Sequence, residues 1–394
     1  MKIYEDESVT FPRGFSASGV ACGIKKSGAP DLAMVVSHLP AAAAGVFTQN
    51  IVRAACVDWN IRVLKTQAHD IRAIVINSGN ANAVTGAVGV RDNAFMAQDA
   101  SRFLNCQAQQ VLVGSTGVIG VPLPMNSVAQ GMRSSFGELS PAGGRSAAEA
   151  IMTTDTRPKH MAVESDQGYR IGGMAKGAGM IHPNMATMIS VLCTDAKIEA
   201  SRLQAITKAV ADKTFNCISI DGDTSTNDMF LVLANGASGI EPDLEDFEKH
   251  LHTVARTLAR RIVEDAEGAT RFVEIVVSGT QSDSDASAVA RTISTSMLVK
   301  TALFGADPNW GRVVAAAGRS GVQFDPKSIS LSFGGIEVLK DGEVLDFDEA
   351  AAHERLQSRE VRIVLNIGSG QGRAQVFTSD LSHEYVKINA SYRT

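Results

Sequence analysis

Apolar runs that end in clusters of small polar residues recur along this chain and constrain its fold more than any other feature. Four of them predict buried strands that lead into tight loops: IRAIVINSGNAN, QVLVGSTGVIG, FVEIVVSG and VRIVLNIGSGQG. A further run, ISLSFGGIEVLKDGEVLDF, holds Asp341-Gly342 between two strand-like stretches, which is a hairpin signal. The chain is therefore expected to bury several strands in sheets.

Helical patterns lie between these runs. Apolar residues three or four positions apart from Phe247 to Ile262 predict a long amphipathic helix, which a glycine cap at Glu267-Gly268 would end. The segments EASRLQAITKAVADKTF and VRDNAFMAQDASRFL predict two more helices. Because strands and helices mix throughout, the predicted class is α/β or α+β with large sheets.

Size and composition set broad limits on function. The 394 residues suffice for two or three domains, and the net charge of -5 argues against a nucleic-acid surface. The five cysteines are scattered and form no CxxC pair, which is typical of reduced thiols in a cytosolic protein. No apolar run approaches the ~18 residues that span a bilayer, and the acidic start MKIYEDESVTFPRGF resembles no targeting signal. We expect a cytoplasmic protein.

The stretch KGAGMIHPNMATMISVL, residues 176–192, places a threonine between a loop and an apolar run. Pro183 stiffens the loop, and Thr187 would be the first residue of a buried strand. A threonine that begins a chain can use its own α-amine as a base, with a pKa of about 7.7–8.0. The residues alone leave open that Thr187 is an ordinary strand residue.

A family resemblance bears on that threonine. KGAGMIHPNMATM resembles the self-cleavage segment of the ornithine acetyltransferase family, also called glutamate N-acetyltransferase, a bifunctional family of arginine biosynthesis. Further segments match that family in order along nearly the whole chain: STGVIG, IMTTDTRPK, GGMAKGAGM, SIDGDTSTND, DAEGATRF, LVKTALFGADPNWGR and DLSHEYVKINASYRT. Seven matches in sequence favour Thr187 as a functional residue.

The resemblance implies a fold and a maturation step. The implied fold is an αββα-type layered sandwich, of the kind found in self-cleaving ornithine acetyltransferases and β-aminopeptidases, with a smaller C-terminal α/β part. The chain would cut itself between Ala186 and Thr187. An alpha chain of residues 1–186 and a beta chain of residues 187–394 would then stay interleaved in one folded unit.

The resemblance also implies a reaction and its residues. Acetyl would move from N-acetylornithine to glutamate by a ping-pong route through an acetyl-threonine at Thr187. Thr116 and Gly117 match an oxyanion pair, which must be in place before negative charge develops on the carbonyl oxygen. The matching substrate-binding residues, which include both charge signs for amino-acid substrates, are Thr153, Lys176, Thr187, Glu267, Asn389 and Thr394.

The resemblance implies no cofactor and no metal, although acetyl-CoA is a second candidate donor. Two alpha and two beta chains are expected to associate as a heterotetramer. The implied partners are the small substrates, with no nucleic acid and no membrane.

Other functions stay open at this stage. The same machinery would act as an N-terminal-nucleophile aminopeptidase or amidase if water outcompeted the acceptor amine, and a non-catalytic scaffold would keep the fold without the cut. Asp221-Gly222-Asp223-Thr224-Ser225 resembles a calcium loop or a phosphatase motif, but each pattern lacks a required residue. We expect a structural turn there.

Overall fold

Two units make up the described part of the chain, which covers residues 1–182 and 188–391 of a computed structural model. The first unit comprises Met1–Asn216 and Asp223–Ile262. The second comprises Cys217–Gly222 and the described residues from Val263 onward. Each unit has its own sheet.

The strands are numbered in chain order across both units. Their bounds are β1 Lys2–Tyr4, β2 Phe15–Val20, β3 Leu32–Phe47, β4 Ile71–Asn80, β5 Val111–Val118, β6 Lys159–Glu164, β7 Arg170–Lys176, β8 Ile189–Thr194, β9 Ile218–Ser219, β10 Met229–Ala234, β11 Phe272–Gly279, β12 Ser330–Phe333, β13 Ile336–Lys340, β14 Glu343–Val344, β15 Glu360–Asn366 and β16 Gly370–Ser379.

The helices follow the same numbering, and three short 3₁₀ turns accompany them at Ala108–Gln110, Phe215–Cys217 and Pro326–Ser328. Their bounds are α1 Ala55–Gln67, α2 Gly86–Leu104, α3 Met125–Gly137, α4 Gly144–Ala150, α5 Ala200–Lys213, α6 Leu244–Glu264, α7 Asp283–Ser294, α8 Met297–Phe304, α9 Trp310–Gly318, α10 Glu349–Gln357 and α11 His383–Ser391.

The sheet of the first unit mixes strands from both sides of residues 183–187. Its order is β1-β6-β7-β8-β10-β3-β4-β5, and β2 also pairs with β3. The parallel pairs are β8 with β10 and β4 with β5. Since β8 and β10 lie between β7 and β3, the two predicted chains contribute neighbouring strands to one sheet.

Helices cover this sheet and enclose its core. The helices α1 and α2 pack against β5, α5 packs against β3, and α4 packs against β2. Every residue of β8 and of β10 is buried. Central strands covered on both faces have continuous apolar runs of this kind.

The second unit is smaller and also mixes helices with a sheet. Its strand order is β14-β13-β12-β15-β11-β16-β9, with β11 parallel to β15 and β9 parallel to β16. The helix α7 packs against β11 and β16. The predicted mixed α/β fold with layered sheets and a smaller C-terminal α/β part is therefore confirmed.

Most local predictions are confirmed. The four apolar runs form β4, β5, β11 and β15, and the helical patterns form α2, α5 and α6. The hairpin between β13 and β14 turns at Asp341 (φ 49°) and Gly342 (φ 78°). Both residues have the left-handed conformation that a two-residue type I′ turn requires.

One predicted boundary, the end of α6, is wrong. Another, the start of the strand at Thr187, falls on a residue that the structure does not describe. The helix α6 ends at Glu264, so Gly268 (φ 65°) belongs to the turn that follows the helix and does not cap it. The apolar run after the predicted cut forms β8 from Ile189, and Thr187 lies outside the described residues. Among the described residues, no helix combines the length and the apolar character needed to cross a bilayer.

Candidate active site

The predicted oxyanion pair lies near the carboxyl end of β5. The parallel register sets Thr116 opposite Ser78 and Gly117 opposite Gly79 of β4. Gly117 has φ 131°, and a Cβ atom there would lie 2.3 Å from the backbone carbonyl carbon of Gly79. Only glycine fits this close approach of two backbones, so no side chain at position 117 covers its peptide group.

Lys176 and Thr116 come together in the first unit. Lys176 is the last residue of β7 and only 8% exposed. Its Nζ donates a hydrogen bond of 3.3 Å to the Thr116 hydroxyl. In the sheet it pairs with Ile189 of β8, two residues after Thr187. A buried lysine therefore lies beside the predicted oxyanion hydroxyl and pairs in the sheet with a residue that follows the predicted nucleophile in sequence.

Asp155 organises the surroundings of Lys176, and the sequence analysis did not single it out. Its carboxylate accepts hydrogen bonds from Lys159 Nζ (2.6 Å) and from the Gly177 N–H (2.7 Å). It also accepts the backbone N–H of Thr153 at 2.9 Å, which ties that predicted substrate contact to the same group. Asp155 thus fixes the residue that follows Lys176.

The charge state of Asp155 follows from its partners. Burial alone would raise the pKa of the Asp155 carboxyl, but the charges of Lys159 and Lys176 and the Gly177 N–H outweigh burial. Together they hold the pKa of this carboxyl well below its usual range. Asp155 is therefore ionised at neutral pH and compensates the two buried lysines.

The loop before β10 reaches the same region. The Asn227 side chain donates hydrogen bonds to the carbonyl oxygens of Ala81 (2.6 Å) and Ser115 (2.8 Å), the residue before Thr116. Asp228 follows and is 2% exposed. Burial raises the pKa of the Asp228 carboxyl well above its usual value, although Ser225, Lys176 and the Met188 backbone act in the opposite direction. Asp228 also was not predicted from the sequence.

The second unit brings together two other predicted residues. Asn389 Nδ2, on α11, donates a hydrogen bond of 2.8 Å to Glu267 Oε2, in the turn after α6. Gly268 next to that turn packs tightly against α11, because a Cβ atom there would lie 2.4 Å from the Tyr385 backbone nitrogen. The Ser382 hydroxyl donates to the Gly268 carbonyl oxygen at 2.5 Å. An acid and an amide are thus presented together.

Three predicted residues lie outside the described part of the chain: Ala186, Thr187 and Thr394. Their roles stay predictions. Within residues 1–182 and 188–391, no group of three or more histidine, cysteine, aspartate or glutamate side chains is arranged to hold a metal ion.

Comparison with known proteins identifies the family. The model of the ArgJ family matches residues 16–394. This chain belongs to the ArgJ family. The prediction of family membership made from the sequence segments is therefore confirmed.

Relatives in the ArgJ family are similar over their full length. The arginine biosynthesis bifunctional protein ArgJ of Symbiobacterium thermophilum is 48% identical over 397 residues, with 98% of each chain covered. The protein of the same name from Thermotoga neapolitana is 45% identical over 396 residues, covering 97% of this chain and 99% of the relative.

Solved structures of the family overlap with about half of this chain. Ornithine acetyltransferase of Mycobacterium tuberculosis, solved in complex with ornithine, is 45% identical and covers 47% of this chain and 99% of its own, with a TM-score of 0.46. The ArgJ protein of Bacillus halodurans is 41% identical and covers 50% of this chain and 96% of its own, with a TM-score of 0.49.

The geometry of this chain suits acyl-transfer chemistry. In the first unit, the Thr116 hydroxyl and the glycine at 117 can serve a developing oxyanion, and Lys176 can pair with a carboxylate. In the second unit, Glu267 can pair with an ammonium group, and the Asn389 side chain donates a hydrogen bond to Glu267. The two unpredicted acids, Asp155 and Asp228, both lie in segments that match the family. Composition gave no sign that either is buried.

Proposed function

We propose that this chain transfers acetyl from N-acetylornithine to glutamate through an acetyl ester on Thr187, after cutting its own backbone between Ala186 and Thr187. Membership of the ArgJ family makes the chain an acetyltransferase of arginine biosynthesis. The observation that carries the finer proposal is the hydrogen bond of 3.3 Å that the buried Lys176 donates from Nζ to the Thr116 hydroxyl.

The first half-reaction forms the ester. The Thr187 hydroxyl oxygen attacks the acetyl carbonyl carbon of the donor, and the α-amine of Thr187 accepts the hydroxyl proton. Thr116 and the Gly117 N–H stabilise the oxyanion. When the carbon–nitrogen bond of the donor breaks, the proton passes to the leaving nitrogen and ornithine departs.

The second half-reaction reverses these steps with glutamate. The neutral amine of glutamate attacks the acetyl ester carbon, and the Thr187 oxygen leaves with the proton that this amine releases. Lys176 pairs with a substrate carboxylate, while Glu267 and Asn389 receive a substrate ammonium group. Thr153 and Thr394 complete the substrate contacts. These steps use no cofactor, and acetyl-CoA would serve only as a second acetyl donor.

The assembly and location follow from the same proposal. We expect two alpha chains and two beta chains in a heterotetramer, located in the cytoplasm. Neither nucleic acid nor membrane has a part in the reaction.

Intact mass spectrometry before and after addition of N-acetylornithine tests this function. The parent protein should give two fragments, 1–186 and 187–394, and the second should gain one acetyl group. Thr187→Ala should remain a single chain without the acetyl group, whereas Thr187→Ser, which keeps a hydroxyl, should retain some cleavage.

Product analysis completes the test. With glutamate present, acetylglutamate should accumulate, while free acetate as the main product would indicate a hydrolase instead. A Thr187→Ala protein that runs as two fragments would overturn the self-cleavage step.

A further inference from the structure

A buried carboxyl at the start of β10 has an unusual environment. Asp228 is 2% exposed, and its Oδ2 atom has no hydrogen-bond partner in the described part of the chain. Buried side-chain oxygens nearly always have such a partner, so an exception needs an explanation. The carboxyl is not used by the acetyl-transfer steps derived above.

The strand register sets Asp228 beside Met188, the second residue after the predicted cut. The parallel strands β8 and β10 pair Ile189 with Met229, so Asp228 and Met188 occupy matching positions immediately before the two strands. The Met229 N–H donates to the Met188 carbonyl oxygen at 2.9 Å, and the Met188 backbone also acts on the Asp228 carboxyl as a hydrogen-bond donor. Met188 is bonded to residue 187, and consecutive α-carbons are about 3.8 Å apart.

The pKa values of the two buried carboxyls near Lys176 are shifted in opposite directions. Asp155 is held ionised by Lys159, Lys176 and the Gly177 N–H. Lys176 is the charged side chain among the groups that act most strongly on the pKa of the Asp228 carboxyl. The other groups are the Ser225 hydroxyl and the N–H groups of Ser225 and Met188. Burial outweighs these groups and raises the pKa of the Asp228 carboxyl. Pairs of titratable groups with pKa values pushed apart commonly mark acid and base roles.

We propose that Asp228 is the acid of chain scission, which gives a proton to the backbone nitrogen of residue 187 as its bond to residue 186 breaks. The inference rests on the proposed self-cleavage at Thr187. The Thr187 oxygen bonds to the carbonyl carbon of Ala186, the carbon–nitrogen bond breaks, and the nitrogen takes the Asp228 proton to become an amine. The Asp228 carboxylate then receives the proton released by the hydroxyl. Water hydrolyses the resulting ester, which leaves a carboxylate on residue 186 and the free hydroxyl on Thr187.

The rate of scission in full-length protein tests this role. The complete chain is made by cell-free synthesis, and the cut fraction is followed with time on denaturing gels from about pH 5 to about pH 9. Asp228→Asn keeps the shape but cannot give a proton, so scission should slow about 10²-fold or more, the usual contribution of a general acid. Asp228→Glu should retain measurable scission. Asp223→Asn removes a carboxylate from an exposed position of the same loop and should cut at the parent rate.

The pH profile separates proton transfer from a purely structural role. Scission of the parent should slow on the alkaline side, where Asp228 loses its proton, and Asp228→Asn should lack that decline. Circular dichroism reports whether Asp228→Asn folds, and if it does not, the parent profile and Asp228→Glu decide. Parent-rate scission by a folded Asp228→Asn, or a parent rate that does not fall with rising pH, would overturn the inference. If Thr187→Ala is also cut, the proposed function itself fails, which is a different result.

Discussion

Asp155 shows at the scale of single residues how one carboxylate supports several predicted site residues. The Asp155 side chain is fully buried, and that of Lys159 is 1% exposed. Lys159 Nζ lies 2.6 Å from Asp155 Oδ1. Its remaining hydrogen bonds hold the backbone at Thr153 and Gly177. Breaking a buried ion pair by removing one partner is strongly destabilising because the other charge stays buried without compensation.

Asp155→Asn should therefore lower the free energy of unfolding by about 3–5 kcal/mol, the usual effect of breaking a buried pair. Denaturant titration at pH 7 measures this change. Asp166→Asn is the matched control, because Asp166 also forms an ion pair, with the chain N-terminus, but its side chain is 88% exposed. This substitution should leave the unfolding midpoint unchanged. Equal midpoints for both variants would show that Asp155 does not hold the lysines in place.

The difference in unfolding free energy between the parent and Asp155→Asn should depend on pH with a defined sign. The folded state lowers the pKa of the Asp155 carboxyl, so its stabilisation is present above the unfolded-state value of about 3.9. It is lost as the pH falls through the lower folded-state value. The difference in unfolding free energy between the parent and Asp155→Asn should thus be constant from about pH 5 to about pH 8 and shrink only in stronger acid. A difference that shrinks near neutral pH would contradict this assignment.

At the scale of elements, α11 depends on a few specific contacts. None of its described residues is buried. Its contacts include the bond from Asn389 to Glu267, the tight approach of Gly268 to Tyr385, and the hydrogen bond that the Tyr385 hydroxyl donates to Asp221. A helix without a buried face gains little from hydrophobic packing, so we expect these specific contacts to fix the position of Asn389.

Gly268→Ala should displace α11, because the new Cβ atom would lie 2.4 Å from the Tyr385 backbone nitrogen. Limited proteolysis should release the C-terminal residues faster, and the KM for N-acetylornithine should rise. Gly335→Ala is the control, since Gly335 also has a positive φ (89°) but no atom within 4 Å of the added Cβ. Equal proteolysis of both variants would show that backbone strain alone explains the effect.

At the scale of the whole molecule, the sheet of the first unit joins the two predicted chains. Hydrogen-bonded pairs link β7 to β8 and β10 to β3, across the predicted cut in each case. One buried apolar cluster also includes Met174 from before the cut together with Ile189 and Met229 from after it. Backbone scission would leave all of these contacts in place.

Cleaved protein should accordingly behave as one folded body. Fragments 1–186 and 187–394 should elute together from a size-exclusion column in plain buffer and separate only in denaturant, because the shared sheet must unfold first. Uncut Thr187→Ala gives the reference elution volume. Separation of the fragments without denaturant would mean that the strands on the two sides do not stay paired after the cut.

Local patterns in the sequence predicted the elements well. The alternation and length of the apolar runs identify β4, β5, β11 and β15, and Asp341-Gly342 identifies the hairpin. The predicted end of α6 was a few residues too late. Gly268 has the positive φ of a helix-ending glycine, but it lies in the turn that packs against α11. That choice depends on a contact with Tyr385, which is remote in sequence.

The sequence by itself determined the fold class, the family and the candidate site residues, since these depend on neighbouring positions and on segments that keep their order. Only the tertiary structure decided which of those residues meet: Lys176 with Thr116 across 60 positions, and Glu267 with Asn389 across 122. It also decided that the pKa of the Asp155 carboxyl is lowered and that the pKa of the Asp228 carboxyl is raised. A carboxyl pKa depends on burial and on charges brought close by folding, and no local pattern encodes either.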